Sequence, residues 1–202
     1  MAICGKIFSE QSFDCDSKPT GGIEQTIILI NREDINLSTT VLDRTLTDSS
    51  GTHKITTLEL ASGTTGYEFT SIRSKRLFSA GANININDDG PNDWTHTLNT
   101  RVFNLCEESL VFLKGLGEGA EVVAVVQTND KGTDSACAFQ VYGFDKGLKL
   151  LEATYNSNEN KGTVPVVLAS QEPDLEPYPP MLYLDTDYAT SLAAFENKFA
   201  QP

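Results

Sequence analysis

Along most of this chain, apolar and polar residues alternate in short runs separated by Gly, Asn, Asp and Ser. Alternation with period two is what a half-buried β-strand requires, because successive side chains of a strand point to opposite faces. Residues 23–31 (IEQTIILIN) follow Pro19-Thr20-Gly21-Gly22 and are rich in β-branched side chains, so they are predicted to form a strand after a turn. Residues 36–42 predict a further short strand, and 53–60 (HKITTLEL) and 67–72 alternate again. In residues 94–103 (WTHTLNTRVF) the alternation places Trp94, His96, Leu98, Thr100 and Val102 on one face. Residues 120–128 are apolar enough to predict a strand buried on both faces. Residues 136–144 and 148–155 predict two more, with Asp145-Lys146-Gly147 between them read as a short hairpin link. Residues 163–169 complete the set, and Pro165 predicts an edge strand or a bulge there.

The period changes in two places. Over about 105–116, Leu105, Leu110, Phe112, Leu113 and Leu116 recur at helical spacing. Asn104 stands as N-cap, Glu107 and Glu108 lie in the first turn, and Gly115 and Gly117 close the end, as the helix dipole and capping rules favour. Over about 186–199, Asp185-Thr186-Asp187 precede a stripe of Tyr188, Leu192, Phe195 and Phe199. Two segments show no period. Residues 79–93 (SAGANININDDGPND) predict a long exposed loop, and 171–180 (QEPDLEPYPP) an extended connector. The expectation is a mainly β chain, an antiparallel sandwich or barrel with two helices and one core. It forms a single domain over 1–202, with a Pro-rich C-terminal arm over about 171–202.

The composition adds a strongly acidic balance, 28 Asp plus Glu against 15 Lys plus Arg, for a formal charge of −13. Such a surface is soluble and does not bind nucleic acid nonspecifically, although an acidic channel can serve passing DNA by repelling its phosphates. No signal-peptide pattern and no apolar run of membrane-spanning length occurs, so a soluble product made in a cytosol, with no membrane partner, is expected.

Candidate chemistry is sparse. The four cysteines, Cys4, Cys15, Cys106 and Cys137, lack C-x-x-C spacing, so neither a disulfide framework nor a metal site is expected. The two histidines, His53 and His96, sit within alternating strands, where a satisfied structural role is commoner than that of a base. Residues 85–90 (NINDDG) lack the spaced acids and closing Glu of a calcium loop. No nucleophile elbow or phosphate-binding glycine loop is present, and no catalytic residue or cofactor is expected. The one basic cluster, Arg73, Lys75 and Arg76, predicts a face that meets an acidic neighbouring subunit. An arm ending in an amphipathic helix suits a subunit that lies on its neighbour, so Tyr188 and Phe195 join those residues as interface candidates.

Several of these segments together resemble virion proteins of phages that infect Bacteroides, the crAss-like phages among them. The residues that carry the likeness are Asp14-Cys15, Gly21-Gly22, the strand ending Leu29-Ile30-Asn31 with Asp34-Ile35, the 105–116 helix, Val141-Tyr142-Gly143, Gly147-Leu148, and the run from Gly162 to Ser170 leading to Pro179-Pro180. The order of elements is similar to the phage tail-tube fold, a β-sandwich with a flanking helix whose sheets join around a ring. The resemblance implies a structural, non-enzymatic subunit of the virion tail. It implies self-association into a ring, contacts with neighbouring tail or connector proteins, and DNA passing through without specific binding. A capsid decoration or carbohydrate-binding sandwich is the alternative, with Trp94 or Tyr67 as its aromatic platform.

Overall fold

The structure is a computed structural model that describes residues 20–44, 53–72, 75 and 77–201. The chain is mainly β, with two sheets and two helices. The larger sheet has seven strands in the order β2-β3-β11-β8-β7-β1-β4, and the smaller has four in the order β5-β6-β10-β9. Their ranges are β1 Ile23–Asn31, β2 Val41–Asp43, β3 Lys54–Thr57, β4 Tyr67–Thr70, β5 Ser79–Asn85, β6 Asp93–Val102, β7 Val122–Thr128, β8 Phe139–Tyr142, β9 Lys149–Ala153, β10 Val164–Ala169 and β11 Met181–Tyr183. The helices are α1, Glu107–Gly117, and α2, Tyr188–Glu196. Pairing is antiparallel except between β11 and β3, which run parallel. Among the described residues no helix is long and apolar enough to cross a membrane.

The seven-stranded sheet is buried on both faces, and that gives the molecule two core clusters instead of the single one expected. β7 shows why. Its odd-numbered Val123 and Val125 enter one cluster, while Val122, Ala124 and Val126 enter the other. Ile28 and Ile30 of β1 divide from Ile27 and Leu29 in the same way. One cluster lies between the two sheets, where Leu98 of β6 and Val164, Val166 and Leu168 of β10 meet β1 and β7. The other is roofed by α2, whose Tyr188, Leu192 and Phe195 pack there with Phe199. Phe195 sits 5.2 Å from Phe139, and Phe199 packs edge-on to Tyr183. Asp187 caps α2 by accepting the Thr190 N–H at 2.8 Å. The predicted stripe is thus the roof of the chain's own core.

Several segments differ from expectation. Residues 79–85 form β5, so the loop contracts to 86–92; the strand is imposed by seven register pairs with β6. That loop folds on its own atoms, with the Asn87 side chain donating to the Pro91 carbonyl and the Asp93 carboxylate. α1 starts two residues later than predicted, and its N-cap is Cys106 with no side-chain cap bond. The link at residues 145–147 is no hairpin: β8 belongs to the seven-stranded sheet and β9 to the four-stranded one, so the chain changes sheets there. β10 is an inner strand, with a register shift against β9 between Val167 and Leu168. Pro165 is tolerated because its carbonyl, and hence its missing N–H, faces Thr154, one residue beyond the end of β9. The Pro-rich arm is no free connector. It crosses from β10 back to the seven-stranded sheet and inserts β11 between β3 and β8.

Candidate functional site

The titratable side chains gather where the chain changes sheets twice, at residues 143–148 and again at 170–180. Gly143 and Gly147 lie at φ +74° and +86°, a region that L side chains rarely adopt, and they shape the first crossover. The second is tied to β6 by the backbone pair Trp94–Glu176 at 2.7 and 3.0 Å, and reaches the first through the Glu176 side chain. Glu176 is 1% exposed, and its carboxylate accepts the N–H groups of Asp145 at 3.1 Å and Lys146 at 2.8 Å. Burial pushes that carboxyl above its ordinary range, partly offset by those same backbone donors.

The two histidines hold consecutive carbonyls of the crossover. His96 lies 3.0 Å from the Tyr178 oxygen through Nε2, and His53 lies 2.9 Å from the Pro179 oxygen through Nε2. The Nδ1 of His96 accepts the Gly143 N–H at 3.1 Å, which requires a neutral ring with its proton on Nε2. Burial pushes His96 down to about 4, and lowers His53 as well. Arg44 completes the clamp. Its Nη2 lies 2.8 and 2.9 Å from the Asp145 carboxylate oxygens, and its guanidinium sits 4.9 Å from the Tyr178 ring centre. Outside it, Arg32 donates to the Asp145 carbonyl and pairs with Glu121 at 3.3 Å. Lys149 pairs with Glu121 at 3.2 Å and Asp174 at 2.9 Å.

This cluster fastens two crossovers together. Both nitrogens of His96 and both carboxylate oxygens of Glu176 are engaged by backbone groups. The buried Nδ1 of His53, by contrast, has no hydrogen-bond partner among the described residues. No local pattern marks Glu176 as buried, since the groups that hold it belong to a turn about thirty residues earlier.

No family model matches this chain, and neither does any curated protein or any solved structure.

Three of the five predicted interface residues, Lys75, Tyr188 and Phe195, lie among the described residues. Lys75 is exposed on the segment between β4 and β5, while Arg73 and Arg76 lie outside the described residues. Phe195 is 3% exposed, so its ring serves the chain's own core and presents nothing to a neighbour. Tyr188 is half-buried, stacked on Phe139, and its hydroxyl meets Gln127 at 3.0 Å and Lys131 at 3.2 Å. Trp94 is half-buried, with its backbone bonded to Glu176, whereas Tyr67 is exposed. Cys106 is exposed and Cys137 partly so; both are free thiols.

Among the described residues, β5 and β9 are the edges of the four-stranded sheet, and β2 and β4 those of the seven-stranded one. Beside β4, a groove of about 1310 Å³ runs along α1.

Proposed function

We infer that the chain is a structural subunit of a bacteriophage virion, joining copies of itself into a ring or tube around the DNA channel of the tail or head–tail junction. The observation that supports this best is the edge strand β5. Monomeric β proteins guard their edges with charges, prolines or bulges, because an unguarded row of N–H and C=O groups recruits another strand. Residues 79–86 (SAGANINI) contain no charge and no proline. The pairing of β5 with β6 runs without a register break, so the edge is straight over all seven residues. Ile84 and Ile86 are exposed along and just beyond it. On a chain with formal charge −13, an uncharged edge is where two copies approach with least repulsion. The four-stranded sheet has β9 as its other edge, and a β5-to-β9 contact repeated head to tail gives a ring where its rotation closes and a helical tube where it does not. The acidity then suits a lining past which DNA slides without sticking.

A single charge on that edge tests the reading. Ile84→Glu keeps an exposed side chain exposed, so its melting temperature should match the parent's. Light scattering coupled to size exclusion should show self-association weakened by at least about tenfold, as expected for a charge of the chain's own sign placed in a contact. Unchanged association in this variant would place the copy-to-copy contact elsewhere and remove the main support for the reading.

A further inference from the structure

Among the described residues, β4 is the last strand of the seven-stranded sheet, bonded to β1 on one side and open on the other. Tyr67 and Phe69, two residues apart, share the face that looks toward α1. Glu68 points the other way, where it pairs with Lys198 at 3.6 Å. The groove between β4 and α1 has an aromatic floor, with Phe69 and Phe112 at 4.8 Å between ring centres and Phe103 beside them. Its lips carry Tyr67 and Val111, which are 55% and 65% exposed and belong to neither core cluster. Glu68 and Lys198 offset each other at its rim, and the other carboxylates lining it, Glu107, Glu108 and Glu196, outnumber Arg101.

An open strand edge beside a helix offers two things at once. The edge supplies main-chain hydrogen bonds to an added strand, and the groove takes every second side chain of that strand. The surplus of carboxylates selects for positive charge on the incoming segment. We propose that the β4–α1 groove docks an extended segment of a partner protein, apolar at alternate positions and flanked by lysine or arginine, which adds to β4 as an eighth strand. This contact is separate from the β5 edge and does not depend on how copies assemble.

The test uses the full chain and a fluorescein-labelled peptide, Lys-Val-Thr-Val-Thr-Val-Lys, followed by fluorescence polarisation. Saturable binding is expected below about 1 mM, the range for a short strand without optimised anchors. Replacing both flanking lysines by glutamate, or the central valine by proline, should each weaken binding by at least about tenfold. Val111→Lys should do the same while the circular-dichroism melt stays at the parent's temperature, since Val111 is mostly exposed. Equal binding of the glutamate-flanked peptide, or undiminished binding to Val111→Lys, would overturn the proposal. So would binding that appears only after residues 1–19 are removed, which would make the chain's own N-terminal segment the occupant.

Discussion

Between pH 7 and pH 3 the protein is expected to lose about 3 kcal/mol of stability through His96 alone. His96 is 2% exposed, and its ring is held neutral because Nδ1 accepts the Gly143 N–H. Its affinity for a proton falls from 6.5 to about 4 on folding, with desolvation as the main cause and the Tyr178 carbonyl and Asp145 opposing it. The unfolded chain therefore binds more protons than the folded one between those values, and stability falls as pH falls through that window. Protonation would also set two N–H groups against each other at Gly143, at the point where the crossovers meet. His53 shifts in the same direction and adds to the loss. Glu176 works the other way, since its raised value makes the folded state hold a proton longer and favours folding as pH drops through its own range. Urea unfolding across this pH range measures the sum. In His96→Gln, whose side chain does not titrate, stability at pH 7 should be lower but its slope between pH 6.5 and 4 much flatter. A variant that keeps the parent's slope would show that His96 is not the source.

The second large effect concerns a glycine. Gly143→Ala is expected to cost about 3 kcal/mol or more, combining left-handed backbone strain with overpacking. Gly143 lies at φ +74°, and an added Cβ would stand 2.6 Å from Leu148 Cγ and 2.9 Å from the Leu148 nitrogen. That nitrogen cannot withdraw freely, because it donates to the Val122 carbonyl at 2.7 Å while the Leu148 carbonyl accepts from Val122 at 3.0 Å. Gly162 is the control. Its φ is +76°, almost the same, but nothing lies within 4 Å of its added Cβ. Gly162→Ala should cost only the backbone term, about 1 kcal/mol. Urea midpoints of the two variants separate strain from close approach, and equal losses would contradict the packing described for the crossover.

These crossovers also mark where sequence patterns stop being informative. β6 was legible because Leu98, Thr100 and Val102 alternate with polar neighbours and one face is buried. β7 was legible because a run with no polar side can only be covered twice. α2 announced itself through its stripe and through Asp187, whose cap is a local interaction. β5 gave no such signal. Its Ala, Gly and Asn have little strand preference, and its conformation comes from pairing with β6. β11 is three residues long and follows prolines, so its place between β3 and β8 depends wholly on partners far away in sequence. The link at residues 145–147 has the chemistry of a hairpin turn, and only the identity of the sheet that follows shows it to be a crossover. Glu176 looked like one more solvated acid in a polar segment. Its burial is set by two amides of that crossover, which no local pattern encodes.

Negative-stain imaging of the purified full chain shows whether copies assemble into closed particles. Rings of uniform diameter with a stain-filled centre, built by subunits meeting at the β5 edge, are expected. Single particles of monomer size, persisting up to the highest concentration at which the protein stays in solution, would contradict that assembly.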